Sequence, residues 1–369
     1  MHEKTEQFIQ SAMQEIREKN RFRSVSVPKG TDFSSNDYLK LSESPELKAA
    51  FAEYLEKDGL GSGASRLLRG HRDVFTEAEE IFSRYVGTED SLFLANGFLA
   101  NLGLADLLGK SSPVFLCDRL NHASILDGIR LSGAEVRFYR HNDSNQLRDL
   151  LLKYRDRETT VISETIFSME GDFYRKDEIA ALKKEFNFTL VLDEAHALGV
   201  YGENGRGLSC QSDADFRVFT CGKALGLEGA FISCRRDLKE YLINAMRTFI
   251  FSTAPIPAVA FCAGRSVRLA EKMEVQRNLI HSNADLLRKG LRELGFRTAD
   301  SRSQIVPVLL GDEKTSLQYS SVLKEKGFDI RAIRPPTVKE SRLRISLNSG
   351  ISASDIENLL EVFSDLQRK

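Results

Sequence analysis

From about Ser91 to Cys234 the chain alternates short apolar runs with helical stretches. The runs SLFLA (91–95), PVFLCD (113–118), AEVRFYR (134–140), TTVISET (159–165), TLVLDEA (189–195), RVFTC (217–221) and GAFISC (229–234) read as strands. Several are apolar without interruption, as strands buried on both faces must be. The alternation predicts an α/β fold, a mostly parallel sheet with helices on both faces. In such sheets ligands gather beyond the carboxyl ends of the strands.

Upstream, Phe8, Ile9, Met13 and Ile16 recur at roughly helical spacing within Lys4–Lys19. This predicts a helix packed on the body of the protein. Pro28, Gly30 and Ser34–Ser35 break the pattern. Downstream, Pro255 and Pro257 mark a boundary. Beyond it come charged helices (267–294), the runs QIVPVLLGD, FDIRAIRPPTV and SRLRISL, and a closing helix from about Ser352 to Leu366. The expected division is an N-terminal helix and arm over 1–40, a large domain over 41–257 and a smaller α+β C-terminal domain over 258–369.

Charge removes some function classes. The chain has 52 Lys+Arg against 53 Asp+Glu, a formal net charge of −1. That balance leaves no electrostatic footprint for nucleic acid or an anionic membrane. No apolar run approaches the length of a membrane span, and the polar N-terminus does not resemble a signal peptide. Cys117, Cys210, Cys221, Cys234 and Cys262 form no C-x-x-C pair, so neither a disulfide framework nor a structural zinc site is expected. A cytoplasmic protein fits best.

The stretch TLVLDEAHALG (189–199) contains D-E-A-H, letters that also label a class of helicases. A P-loop ATPase needs G-x-x-x-x-G-K-[S/T] to hold phosphates. Of the two Gly-Lys pairs, Gly109-Lys110 has Leu104 where the first Gly belongs, and Gly222-Lys223 has Arg217 there and Ala224 after it. The motor reading fails. What remains is Asp193 at the end of a buried strand, with His196 three residues on. Such a carboxylate either caps a nearby helix or answers a cationic nitrogen of a ligand.

FTCGKALG (219–226) bears on that choice. Lys223 follows a strand end inside a Gly-rich, apolar turn, where burial would lower its pKa and free an amine nucleophile. A lysine for a Schiff base with an aspartate for a pyridinium nitrogen is the pattern of pyridoxal phosphate. A phosphate needs amide donors. SLFLANGFLANLGLADLL places a turn at Asn96-Gly97 and a helix from near Phe98, either a plain turn or an anion site. His122 follows the PVFLCD strand and is either a polar core residue or a ring stacked on the cofactor.

These motifs together resemble the α-oxoamine synthases, a family within the fold-type I pyridoxal phosphate enzymes. The resemblance runs from Phe33 to about Leu347. It is carried by FSSNDYL (33–39), GLGSGASR (59–66), NGFLAN (96–101), DRLNHAS (118–124), ETIFSMEGD (164–172), LDEAH (192–196), GRG (205–207) and TCGKALG (220–226). It implies that Lys223 holds the cofactor, that Asp193 pairs with its ring nitrogen, that His196 and Ser168 lie near its phenolic oxygen, and that His122 stacks on its face. Gly97, Phe98 and Thr220 would hold the phosphate, and Glu164 would lie close by. Asn36 and Arg344 would take the amino-acid carboxylate, and Arg23 and Thr337 would contact the acyl substrate.

The stretch AIRPPTV (332–338) followed by SRLRISL is similar to the members that condense L-alanine with a pimeloyl thioester of coenzyme A or a carrier protein, releasing CO₂, in biotin synthesis. Such an enzyme would be a homodimer with no metal, nucleic-acid or membrane partner. A glycine-using member and a non-catalytic partner subunit are the alternatives; AIRPPTV argues against the first and Lys223 against the second. Departures from the family pattern are Ala197, Lys40, Phe75, Gly350, a short segment between Arg23 and Phe33, and a short loop after Val338.

Overall fold

The computed structural model describes His2 to Arg368. All seven expected strands form, within a residue or two of the sequence boundaries: β1 (Asp90–Leu94), β2 (Val114–Asp118), β3 (Glu135–Tyr139), β4 (Thr159–Glu164), β5 (Thr189–Asp193), β6 (Phe216–Thr220) and β7 (Ala230–Cys234). They make one sheet in the order β1-β7-β6-β5-β4-β2-β3. β7 runs antiparallel to both its neighbours, and the other pairings are parallel.

Strand side chains alternate between two cores, as a period of two requires. Phe115, Cys117, Ile162 and Val191 face one side, with Leu104 and Leu107 of the helix Gly97–Leu108 and Ile125 and Ile129 of the helix Ala123–Ser132. Val114, Leu116, Val161, Leu190 and Leu192 face the other, with Leu147, Leu151, Ile179 and Leu182 of the helices Ser144–Lys153 and Lys176–Glu185. Both faces are covered, which is why these strands read as unbroken apolar runs.

The chain divides into two compact units. The larger holds this sheet and spans Asn36–Ser168 and Phe173–Asn278; the smaller takes the chain up to Ser35, Met169–Asp172 and everything from Leu279 onward. In the smaller unit Arg331–Ile333, Ser341–Ser346 and Ile305–Gly311 form an antiparallel sheet in that order. Thr31–Asp32 pairs with Phe328–Asp329, and Ser352 and Asp355 form a capping box on the helix Ala353–Gln367.

Two expectations change. The helix Pro257–Glu271 belongs to the larger unit, packed on the helices Pro45–Asp58 and Asp73–Val86, so the division falls after Asn278, not at Pro257. Pro257 opens a helix, where its missing N–H costs nothing, and does not close a domain. The helix Glu3–Glu18 forms as expected, but none of its residues is buried, and Phe8 is 74% exposed. Periodicity reports a face that could be buried; it does not say that the same chain buries it.

Candidate active site

Segments leaving the carboxyl ends of five strands converge on one pocket of the larger unit. Gly97 and Phe98 follow β1, His122 and Ser124 follow β2, Glu164 closes β4, Asp193 and His196 straddle the end of β5, Thr220 closes β6 and Lys223 follows it.

Asp193 is buried and anchored at both oxygens. Oδ1 accepts the Ala195 amide at 2.8 Å, and Oδ2 accepts Asn101 Nδ2 at 2.7 Å. The same Asn101 amide reaches Ser124 Oγ at 3.2 Å, and that hydroxyl lies 2.8 Å from His122 Nδ1. Asn101, Ser124 and His122 thus tie the elements after β1 and β2 to the carboxylate at the end of β5.

Glu164 pairs in register with Asp193 on the neighbouring strand and is 3% exposed. Burial, and then the negative charge of Asp193, push its carboxyl up to about 8; Lys223 and the backbone amides of His122 and Ser168 pull the other way. Near neutrality Glu164 is therefore mostly a neutral acid. At His122 the surrounding protein and the positive charge of Lys223 hold the imidazolium below its usual range, against the pull of Asp193. A neutral ring there suits stacking on a flat ligand.

The turn carrying Lys223 is held by the strands around it. Cys221 N–H donates to Gly229 O at 2.9 Å, Leu227 N–H to Cys221 O at 3.0 Å and Gly226 N–H to Lys223 O at 2.9 Å. Gly226 sits at φ +68°, and a side chain there would collide with the backbone of Leu41 and Ser42. Lys223 is half-buried, with Ala224 and Leu225 fully covered behind it.

Asn96 caps the helix Gly97–Leu108 by accepting the Leu99 amide at 3.0 Å. A Cβ on Gly97 would stand 3.4 Å from Thr220 Cβ, so the helix start closes onto the residue that ends β6. A helix N-terminus with a hydroxyl beside it is a natural seat for a phosphate. These residues fit pyridoxal phosphate: an amine, a carboxylate for a ring nitrogen, an anion seat and a stacking ring share one pocket. Two buried oxygens, Asn101 Oδ1 and Glu164 Oε1, have no hydrogen-bond partner among the described residues, the state of groups that a polar ligand completes.

The other residues singled out in the sequence fall in two places. Asn36 joins the pocket side of the larger unit: its Oδ1 lies 3.2 Å from the Tyr38 hydroxyl, which lies 2.6 Å from His196 Nδ1. The Ser168 amide points at Glu164. Arg23, Thr337 and Arg344 belong to the smaller unit. Arg23 Nη2 donates to Thr337 Oγ1 at 3.4 Å, and Arg344, buried on its strand, donates to Ser346 Oγ at 2.6 Å.

Sequence reasoning missed Asn101, Ser124 and Tyr38 as functional residues, although all three stand inside the recognised motifs. A signal existed for Asn101: it interrupts the apolar helix GFLANLGLADLL, and a buried amide demands a partner.

Known proteins resemble this chain over nearly its whole length. Residues 28–363 match the family described as aminotransferase class I and II. An 8-amino-7-oxononanoate synthase of Geobacter sulfurreducens is 38% identical over 384 residues, covering 98% of each chain. Among solved structures, an 8-amino-7-oxononanoate synthase from Francisella tularensis superposes with a TM-score of 0.81 at 29% identity, over 92% of this chain and 98% of that one. Serine palmitoyltransferase from S. paucimobilis, solved with a bound PLP–myriocin aldimine, gives 0.90 at 28% identity, over 98% and 96%.

Proposed function

The chain belongs to the class I and II aminotransferase family, and we propose that it joins L-alanine to a pimeloyl thioester, carried by coenzyme A or a carrier protein, releasing CO₂ and forming 8-amino-7-oxononanoate. It is a pyridoxal phosphate-dependent acyltransferase of the α-oxoamine synthase type. The observation that carries this reading is the meeting of Lys223, Asp193, His196 and His122 in one pocket beyond the strand ends.

When bound, pyridoxal phosphate supplies an electron sink for bonds broken at the α-carbon of the amino acid. Asp193, fixed by Asn101 and Ala195, sets a negative charge against the ring nitrogen. The first amides of the helix at Gly97, with Thr220, seat the phosphate. His122 would stack on the ring, and His196 and Ser168 would serve its phenolic oxygen. The Lys223 amine takes the proton from the α-carbon and later returns one. Within the larger unit, Asn36 binds the substrate carboxylate. A new bond forms between that α-carbon and the acyl carbonyl carbon, the thiol leaves with a proton, and the carboxylate departs as CO₂.

A homodimer belongs to this reading. Leu60, Leu67, Leu68 and Phe251 are exposed by 78, 49, 77 and 72%. They project from two segments tied together by Ser62 Oγ donating to Pro255 O at 2.6 Å and Ala254 N–H donating to Ala64 O at 2.9 Å. Exposed large apolar side chains grouped in this way suit a subunit interface.

The serine palmitoyltransferase neighbours support a second reading, condensation of L-serine with a long acyl thioester. The deciding experiment offers the purified protein L-alanine, glycine or L-serine with pimeloyl- or palmitoyl-coenzyme A and identifies products by mass. 8-Amino-7-oxononanoate formed from alanine in preference to the others supports the first reading; a serine-derived long-chain ketone replaces it with the second.

A further inference from the structure

Tyr38 is fully buried, and its hydroxyl lies 2.6 Å from His196 Nδ1 and 3.2 Å from Asn36 Oδ1. A phenol has one proton to donate. The imidazole nitrogen is the nearer and by far the more basic of the two acceptors, so it draws the phenol proton. The Asn36 amide can serve the same hydroxyl from its Nδ2 end, because the two ends of a carboxamide are interchangeable in placement. The ring itself is positioned by the main chain. Ala197 and Leu198 N–H both bond Glu194 O at 3.0 Å, a tight turn that fixes where His196 emerges after β5.

We propose that Tyr38 is a positioning residue that sets the tautomer of His196. With Nδ1 held as an acceptor, the neutral imidazole carries its proton on Nε2, and the edge turned to the pocket that His196 lines is a donor. The opposite tautomer would offer that pocket a lone pair. An anionic ligand oxygen, such as the phenolic oxygen of pyridoxal phosphate, is attracted by the first arrangement and repelled by the second. The consequence for the cofactor rests on the proposed function; the tautomer itself does not. Tyr38 needs no contact with the ligand to act in this way.

The chain has six histidines, so ¹⁵N imidazole resonances of the cofactor-free protein can be assigned by single His→Gln substitutions. In alkaline buffer His196 should show its proton on Nε2. Tyr38→Phe, which keeps the ring volume, should convert His196 to a mixture of tautomers and weaken pyridoxal phosphate binding by about tenfold, the loss of one charge-assisted hydrogen bond. A wild-type His196 protonated on Nδ1, or a Tyr38→Phe spectrum unchanged at His196, overturns the proposal. The wild-type spectrum decides alone if the variant does not fold. A protein that shows the Nε2–H tautomer yet binds no pyridoxal phosphate would uphold the tautomer assignment and remove the cofactor reading.

Discussion

Asn101 donates to Asp193 across 2.7 Å, from the middle of one helix to the end of a strand ninety-two positions later in the chain. That bond orients the carboxylate before any ligand arrives. Asn101→Ala should therefore leave the fold standing and loosen the cofactor. A hydrogen bond to a charged group contributes about 1.5–3 kcal/mol, so the dissociation constant should rise about ten- to a hundredfold. Visible-absorbance titration of the cofactor-free protein with pyridoxal phosphate measures it directly.

Lys223→Ala should abolish turnover and covalent retention of the cofactor. After borohydride treatment the wild-type chain should gain the mass of one pyridoxyl phosphate and the variant none. Asp193→Asn should keep the circular dichroism of the native chain while lowering kcat by two orders of magnitude or more, roughly the scale of losing a preorganised charge in a site. Near-normal rates in that variant would remove Asp193 from the electron-sink role.

Glu164 makes stability depend on pH. Its carboxyl titrates near 8 in the folded chain against an ordinary value of 4.5. Between those values the folded state holds a proton that the unfolded state has released. The stabilisation is complete below 4.5 and is lost as pH rises through 8, at roughly 1.4 kcal/mol per pH unit within the window. Unfolding of the cofactor-free protein in urea at a series of pH values should show this slope, and Glu164→Gln should flatten it.

Glu79 is 2% exposed and pairs with the guanidinium of Arg66, whose side chain is 8% exposed. It also accepts the Phe93 amide of β1 at 2.8 Å and lies 3.0 Å from Lys239 Nζ. Glu79→Ala would take the carboxylate from the Arg66 guanidinium and the Phe93 amide, while Lys239 keeps Asp90 at 2.7 Å, and breaking a buried pair at one end costs about 3–5 kcal/mol. Denaturant midpoints should fall accordingly, and Arg66→Met in the Glu79→Ala background should recover part of the loss.

Leu68→Glu combined with Phe251→Glu should convert a dimer to a monomer in light scattering during size exclusion, with little change in far-ultraviolet circular dichroism. A wild-type chain already monomeric at micromolar concentration would contradict the proposed assembly.

The large sheet was legible because its strands are buried on both faces; runs such as VFLCD and TLVLD carry the signal in composition alone. Lys223, Asp193 and His196, which line one pocket, drew attention in the sequence because a charged or basic group beside a buried strand end asks for a reason. Tyr38, Ser124 and Asn101 did not, because their meaning lies in partners up to 158 positions away, and ordinary polar side chains carry no mark of their partner. The helix Pro257–Glu271 was assigned to the wrong side of a boundary because a proline signals a break in regular structure without saying which core the next helix joins.

The place of β7 in the sheet has a consequence for synthesis. Among the described residues β1, which delivers the turn at Gly97, pairs with β7 alone, and β7 joins it to β6 and so to Thr220 and Lys223. A ribosome that has released every residue through Lys223 has made each group lining the pocket, yet β1 still lacks β7 beside it. The turn at Gly97 is held in the sheet beside Thr220 only once residues 230–234 have been made.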